Sequence, residues 1–344
     1  MTDFRRRCSV ATHIRAGKAA FCNVPLLLAV SFVILTSWVN AAPPKTIDLG
    51  RIPSVRILPG TTDQNYRDPA AVYHDGVFRL FFTVNRPRRG GKSMVSFLGT
   101  STSTDLVNWS EVKILTPEDP LLNYSSPGNI IRFGGEWIIC FQTYPIPGDG
   151  LTGDGTARLF IMRSKDLENW SEPELLRVKG PDVPREKMGR MIDPYLLEDK
   201  DEPGKWWCFY KQNGVSMSHT RDFKTWTYFG RERSGENVCV VIKDGKYLLM
   251  HSPRTGMGLK VSDDLKQWKD YIPGTITLGQ EKWDWARARL TAGFVLDLTK
   301  DPRVGKYVLF FHGSKQEPRH IGACSLGIAW SDDMVHWDWP RQEK

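Results

Sequence analysis

The sequence predicts an all-β protein: a five-bladed β-propeller whose four-stranded antiparallel blades surround a central channel. Three observations carry the prediction. One phrase (Ser or Thr, any residue, Asp, a large apolar residue, two spacers, Trp) occurs five times in the 344 residues. The copies follow paired runs of apolar, β-branched and aromatic residues bounded by Gly or Asp, as hairpins require. No long stretch of the mature chain has the 3.6-residue apolar period of an amphipathic helix. The Trp-to-Trp steps are 61, 56, 42 and 69 residues, enough for about four strands per blade. A β-sandwich or two β domains would give no reason for five copies of one internal spacing.

Composition agrees. With 40% hydrophobic and 25% charged residues, 13 Trp and 6 Cys, the chain is no disordered tail, collagen or small disulfide knot. Roughly 300 residues can bury a core without disulfides or metals.

The elements follow in order. Residues 1–41 read as a signal peptide: Arg5, Arg6, Arg7, Arg15 and Lys18 precede an uncharged, mostly apolar run from Pro25 to Val39, and Val39-Asn40-Ala41 offers small residues for cleavage. A retained anchor is the alternative, although the run is short of the about 20 residues of a comfortable membrane span. Export, periplasmic or extracellular, is the expected localisation, with no stable membrane partner. This segment accounts for +4 of the formal charge of +8. The mature chain shows no basic stripe interleaved with aromatics, so nucleic acid is not an expected partner.

Residues 42–60 are a lead-in and 61–344 the propeller. Blade one contains Pro69–His74 and Val77–Val84 across an Asp75-Gly76 turn, then the phrase Ser103-Thr104-Asp105-Leu106 with Trp109. Blade two contains Ile130–Phe133 and Glu136–Thr143, then Ser164-Lys165-Asp166-Leu167 with Trp170. Blade three closes on Thr220-Arg221-Asp222-Phe223 with Trp226. Blade four contains Val238–Lys243 and Lys246–His251 across Asp244-Gly245, then Ser262-Asp263-Asp264-Leu265 with Trp268. Blade five contains Thr291–Leu296 and Lys306–His312, then Ser331-Asp332-Asp333-Met334 with Trp337. In each phrase the Ser or Thr and the Asp can bond the local backbone, while the apolar residue and the Trp pack back onto the sheet. Cys140, Cys208, Cys239 and Cys324 lie in or beside apolar runs and read as buried thiols; one disulfide is the alternative.

The innermost strands of a propeller run the same way along the axis, so the residues that open them share one rim. Those openings are Tyr66-Arg67-Asp68-Pro69, Ser126-Pro127-Gly128-Asn129, Met191-Ile192-Asp193-Pro194, Gly235-Glu236-Asn237 and Arg289-Leu290-Thr291. Asp68, Asp193 and Glu236 therefore converge at one end of the channel. Like charges at short range repel and raise one another's pKa, so stability gives no reason to gather them. Glycoside hydrolysis does: one carboxylic acid protonates the leaving oxygen and another carboxylate activates water or attacks the sugar. Asp-Pro is also ordinary turn chemistry, but Glu236 in phase with two such turns favours a site.

Through Arg67-Asp68-Pro69, Ile192-Asp193-Pro194, Gly235-Glu236 followed by Asp244-Gly245-Lys246-Tyr247, and the repeated Asp-apolar-x-x-Trp turns, residues 60–340 resemble glycoside hydrolase family 43. That family includes arabinanases, β-xylosidases and α-L-arabinofuranosidases. The resemblance implies Asp68 as general base, Asp193 as the residue that holds and tunes the acid, and Glu236 as general acid. It implies inversion, which needs base and acid carboxyls about 6.5–9.5 Å apart, whereas about 5 Å would mean a retaining relative. It requires no cofactor and admits a structural Ca²⁺ in the central channel, which no metal-ligand spacing in the sequence itself supports. Two departures stand out. The family continues Glu-Gly-Pro or Glu-Ala-Pro where this chain has Glu236-Asn237-Val238, and the approach from Lys179 to Gly189 is charged.

Arg67, Arg289, His312, Trp283 and Trp285 are candidate substrate-binding residues. The tryptophans could stack on sugars or pack loops. His312 could meet the substrate or a metal, or be structural. Arg67, Arg190, Arg254, Arg287 and Arg289 suit carboxylate or sulfate, which suggests an anionic oligo- or polysaccharide; pairing with the acidic trio is the other reading. A non-catalytic carbohydrate-binding propeller, or a transferase or phosphorylase on the same fold, are the competing functions.

Overall fold

A computed structural model describes residues 46–90, 93–148, 150, 152–315 and 323–341. The expected signal peptide, with Cys8 and Cys22, lies outside them. Among the described residues there is no α-helix, and no helix long and apolar enough to cross a membrane.

The short strand β1 (Arg56–Leu58) comes first. Blade one is β2 (Asn65–His74), β3 (Val77–Pro87), β4 (Met94–Ser103) and β5 (Lys113–Ile114). Blade two is β6 (Tyr124–Ser125), β7 (Ile130–Phe133), β8 (Glu136–Thr143), β9 (Leu159–Ser164) and β10 (Glu174–Leu175); β6 and β7 both pair with β8 as two halves of one inner strand. Blade three is β11 (Ile192–Glu198), β12 (Trp206–Lys211), β13 (Val215–Thr220) and β14 (Thr227–Glu232). Blade four is β15 (Glu236–Lys243), β16 (Lys246–Ser252), β17 (Gly258–Ser262) and β18 (Lys269–Asp270). Blade five is β19 (Arg289–Asp297), β20 (Tyr307–Ser314) and β21 (Ser325–Ser331), with β1 as its outermost strand. All pairings are antiparallel, and β2, β7, β11, β15 and β19 pack side by side around the axis. The chain is a five-bladed β-propeller.

The lead-in is thus part of the ring. Arg56 and Leu58 pair with Gly327 and Leu326, and Val55 is fully buried. The propeller begins before residue 61 because blade five would otherwise expose the ladder groups of β21.

The repeated phrase is one hydrogen-bonded turn made five times. In the first, Ser103 Oγ accepts the N–H groups of Asp105 and Leu106 at 3.2 and 2.8 Å. Asp105 Oδ1 accepts those of Val107 and Asn108 at 2.9 and 2.8 Å. The apolar residue is left-handed in every copy: Leu106, Leu167, Phe223, Leu265 and Met334 have φ of 62, 65, 58, 63 and 70°. That backbone is unfavourable for a side chain with a Cβ, and full burial of these residues offsets it. The Trp then reaches the neighbouring blade: Trp170 meets Phe81, and Trp109 meets Phe310, edge to face at 5.7 and 6.2 Å.

Cys140, Cys208 and Cys239 are buried free thiols, and Cys324 is buried. Burial pushes the Cys140 thiol up to about 12 and Cys239 to about 11, which keeps both protonated and inert.

Candidate active site

Each inner strand breaks its ladder at the channel rim, and one residue there is left-handed. These residues are Asp68, Ser126, Asp193, Asn237 and Ala292, with φ of 50, 44, 52, 51 and 54°. The break turns one side chain per blade toward the axis, so the pseudo-fivefold repeat makes a ring of five positions. Two of them are carboxylates. Glu236 stands one residue before its blade's ring position, level with Arg67 of blade one.

Asp68, Asp193 and Glu236 line one pocket at the rim, together with Arg67, Tyr144 and Arg190. Asp68 and Asp193 are 6% exposed, and the Glu236 side chain is 29% exposed. Thr83 Oγ1 donates to Asp68 Oδ2 at 3.1 Å. Asn237 Nδ2 donates to Asp68 Oδ1 at 3.4 Å and to Asp193 Oδ1 at 3.2 Å. The Asn237 N–H donates to Asp193 Oδ2 at 3.3 Å. Arg289 Nη2 grips Glu236 Oε1 at 2.9 Å, and Arg67 Nη2 lies 3.9 Å from Asp68 Oδ1.

This environment separates the two buried aspartates. Burial pushes both up. At Asp68 it is outweighed by the Arg67 guanidinium and the hydroxyls of Ser126 and Thr83, which hold the carboxyl below its usual range. At Asp193 the charges of Glu236 and Asp68 add to burial and push it up to about 8, against the Asn237 N–H and Ser126. The environment thus favours the ionised form at Asp68 and the protonated form at Asp193. Two titratable groups driven apart in this way are the usual arrangement of acid–base chemistry.

The supports under the ring come from the preceding blade. His312 Nδ1 accepts the Asp68 N–H at 3.0 Å, Thr83 Oγ1 that of Ser126 at 2.7 Å, Gln142 Oε1 that of Asp193 at 2.6 Å, and Ser252 Oγ that of Ala292 at 2.8 Å. His251 Nδ1 accepts the N–H of Gly235 beside Glu236 at 3.0 Å. Burial pushes His312 down to about 3 and His251 to about 4, so both are neutral acceptors. Sequence reading singled out none of Ser126, Thr83, Gln142, Ser252, Asn237 or His251 for the site. A signal existed for two of them: Ser126 and Asn237 share the strand-opening position of Asp68 and Asp193.

The arrangement also explains the departure at Asn237. The position is left-handed, where glycine is free and Asn is tolerated better than most residues. Asn keeps the backbone and adds an amide.

The candidate binding residues separate. Arg67 lines the pocket, and Arg289 and His312 are buried beneath the rim. Trp283 and Trp285 do not line it. They are 3% and 8% exposed and lie with Phe311 in near-parallel rings at centroid distances of 5.9–6.0 Å. A Cβ at Gly313 would come 2.7 Å from the Trp285 ring, so glycine there lets the indole lie flat on blade five. Both pack against blade five, and Trp283 also lines a separate pocket with Lys282, Asp338 and Trp339. Of the other arginines, Arg190 lies 5.5 Å over the ring of Tyr144 in the pocket, Arg287 pairs with Asp284, and Arg254 is exposed.

No protein-family model matches the chain, and no curated protein matches it. Solved structures do. An exo-1,5-α-L-arabinanase from a bovine ruminal metagenomic library aligns with TM-score 0.56 and 18% identity over 79% of this chain and 96% of that one. The catalytic domain of a family 62 α-L-arabinofuranosidase from Coprinopsis cinerea aligns with TM-score 0.57 and 16% identity over 80% and 94%. A family 117 glycoside hydrolase from the marine bacterium Zobellia galactanivorans aligns with TM-score 0.55 and 13% identity over 83% and 88%. The fold is the five-bladed propeller of these glycoside hydrolases.

Proposed function

We propose that the protein is an exported glycoside hydrolase that cleaves oligosaccharides derived from polysaccharides with inversion at the anomeric carbon. The observation that carries this is one rim pocket lined by Asp68, which is held low beside Arg67, by Asp193, which burial and its acidic neighbours push up, and by a Glu236 oriented by Arg289. Solved structures of similar fold are glycosidases, which supports the same reading.

In this mechanism Asp68 takes a proton from water as its oxygen attacks the anomeric carbon. Glu236, in its protonated form, delivers a proton to the leaving glycosidic oxygen as that bond breaks and is left as the carboxylate that Arg289 pairs with. Arg289 fixes the Glu236 carboxyl in the pocket, and Asp193 sets the field around both groups. Proton transfers of this kind contribute roughly 10²–10⁴-fold each.

No step is routed through Ca²⁺. Beneath the rim the channel is lined by Asp68, Ser126, Asp193 and Asn237 together with Pro69, Pro127, Pro194, Val238 and Phe294. Ca²⁺ takes six to eight oxygen ligands. This lining offers two carboxyls, and no group of three or more His, Cys, Asp or Glu side chains among the described residues could hold a metal, so it does not fit the ion.

The substrate class follows from charge. Arg67 and Arg190 face the same pocket, and a guanidinium fork suits a carboxylate or sulfate. The substrate is therefore an oligosaccharide bearing uronate or sulfate groups.

A reducing-sugar screen over neutral, uronate-bearing and sulfated glycans tests the reading, run beside Asp68→Asn and Glu236→Gln. Both variants are expected to lose at least about a hundredfold in rate, with β/α product anomers resolved by NMR showing inversion. Wild-type rates in both variants would remove the catalytic assignment. Faster cleavage of neutral glycans would remove the anionic substrate, and binding without cleavage would make the protein a carbohydrate-binding propeller.

A further inference from the structure

The ring of rim N–H groups has one irregular member. In four blades the left-handed residue donates to a side chain on the second strand of the preceding blade: Thr83, Gln142, Ser252 or His312. These four share a register position. Each lies directly across from the residue just before its own blade's ring position: Thr83 from Arg67, Gln142 from Ser125, Ser252 from Glu236 and His312 from Thr291.

In blade three that position, across from Ile192, is Lys211. An ammonium has no lone pair with which to accept. Lys211 Nζ instead donates to the Ser234 carbonyl at 3.4 Å. The blade-four N–H, that of Asn237, therefore lacks the acceptor its four counterparts have. It turns to Asp193 Oδ2 at 3.3 Å, and the side-chain amide of the same residue spans Asp193 Oδ1 and Asp68 Oδ1. Three donor contacts from one residue converge on two buried carboxyls that repel each other when both are ionised.

We infer that Asn237 is a positioning residue, which ties the Asp68 and Asp193 carboxyls into one rigid unit and is freed for that task by Lys211. Its effect on rate rests on the proposed hydrolase reading; its effect on the two carboxyls does not. The amide sets the orientation of Asp68 toward the pocket and offers Asp193 two donors on different oxygens. The other groups facing this unit are Thr83 and Arg67 from blade one, Ser126 and Gln142 from blade two, His312 from blade five, and Glu236 with its partner Arg289.

Asn237→Gly is the test, because glycine accepts the left-handed backbone, keeps the N–H and removes only the amide. The Asp193 carboxyl is followed by ¹³C NMR titration in the full chain, its resonance identified by loss in Asp193→Asn. Removing a donor from a carboxylate raises its apparent pKa, here by about one pH unit. An unchanged Asp193 midpoint in folded Asn237→Gly overturns the inference, whether or not the protein cleaves any glycan. On a cleaved glycan the variant is expected to lose about tenfold in kcat with KM within about twofold, and the acidic limb of kcat/KM should move up. Wild-type rates in Asp68→Asn sink the hydrolase reading and leave the NMR result to decide this one. An inactive Asp68→Asn beside an unmoved Asn237→Gly titration sinks this inference alone.

Discussion

At the scale of single residues, two kinds of buried group make stability depend on pH in opposite directions. The Asp193 carboxyl is pushed above its unfolded value, so the folded state binds the extra proton between about pH 4 and 8. Stability from this group is full below that window and is lost as pH rises through it. Asp193→Asn removes the charge altogether. Its melting temperature should exceed the wild type's by a few degrees at pH 8, and the gain should shrink toward pH 5; a gain independent of pH would contradict the assigned protonation. His312 runs the other way. Its ring is neutral in the fold and would charge in the unfolded chain, so its stability is present above about pH 6.5 and is lost as pH falls toward 3. Gln142 already performs the same acceptor task for Asp193 in blade two. His312→Gln should therefore keep the Asp68 support and flatten the acid side of the Tm–pH curve. A variant curve as steep as the wild type's would show that His312 is not the titrating group. Asp68, Asp193 and Glu236 were readable as a cluster because each opens an inner strand. The hydrogen bonds that support the two aspartates were not, since Thr83, Gln142 and His312 lie up to 244 residues away along the chain.

At the scale of elements, the repeated turn was the most legible feature of the sequence. Its Ser or Thr and Asp bond only to residues two or three positions away, and local contacts leave a local pattern. The turn aspartates are correspondingly acidic: the N–H groups of Thr225 and Lys224 hold Asp222 down to about 2. Ser103 is buried and accepts two N–H groups. Ser103→Ala should cost roughly 1–3 kcal/mol, the cost of leaving buried donors unmet, read as a lower urea midpoint with an unchanged m-value. A change below about 0.5 kcal/mol would mean that water replaces the hydroxyl. The left-handed Leu, Phe or Met of each turn was not foreseen, because propensity alone argues against it; only burial makes it tolerable. Trp283 and Trp285 illustrate the converse. An aromatic pair in a loop reads equally as a sugar platform or as packing, and the structure lays Trp285 on the flat surface offered by Gly313 and Gly327, away from the rim pocket.

At the scale of the whole molecule, ring closure depends on three residues. β1 covers the edge of β21 and joins the start of the chain to blade five. A chain beginning at residue 60 should lose this strand, expose an open sheet edge and melt at least several degrees lower, with self-association visible by light scattering. An equally stable monomer would show that β1 is dispensable. The sequence by itself determined the number of blades, the inner hairpin of four of them and the residues that open each inner strand, because these follow from local period and spacing. Only the tertiary structure decided which segment closes the ring, which aromatics face a pocket and which face a blade, and which rim N–H group is left to serve the carboxylates. Those outcomes rest on contacts between residues distant in the chain: Arg56 with Gly327, Trp285 over Gly327, and Asn237 held to Asp68 and Asp193 because Lys211 cannot accept. Separation along the chain carries no periodic signal, so such pairings become visible only when five blades meet around one axis.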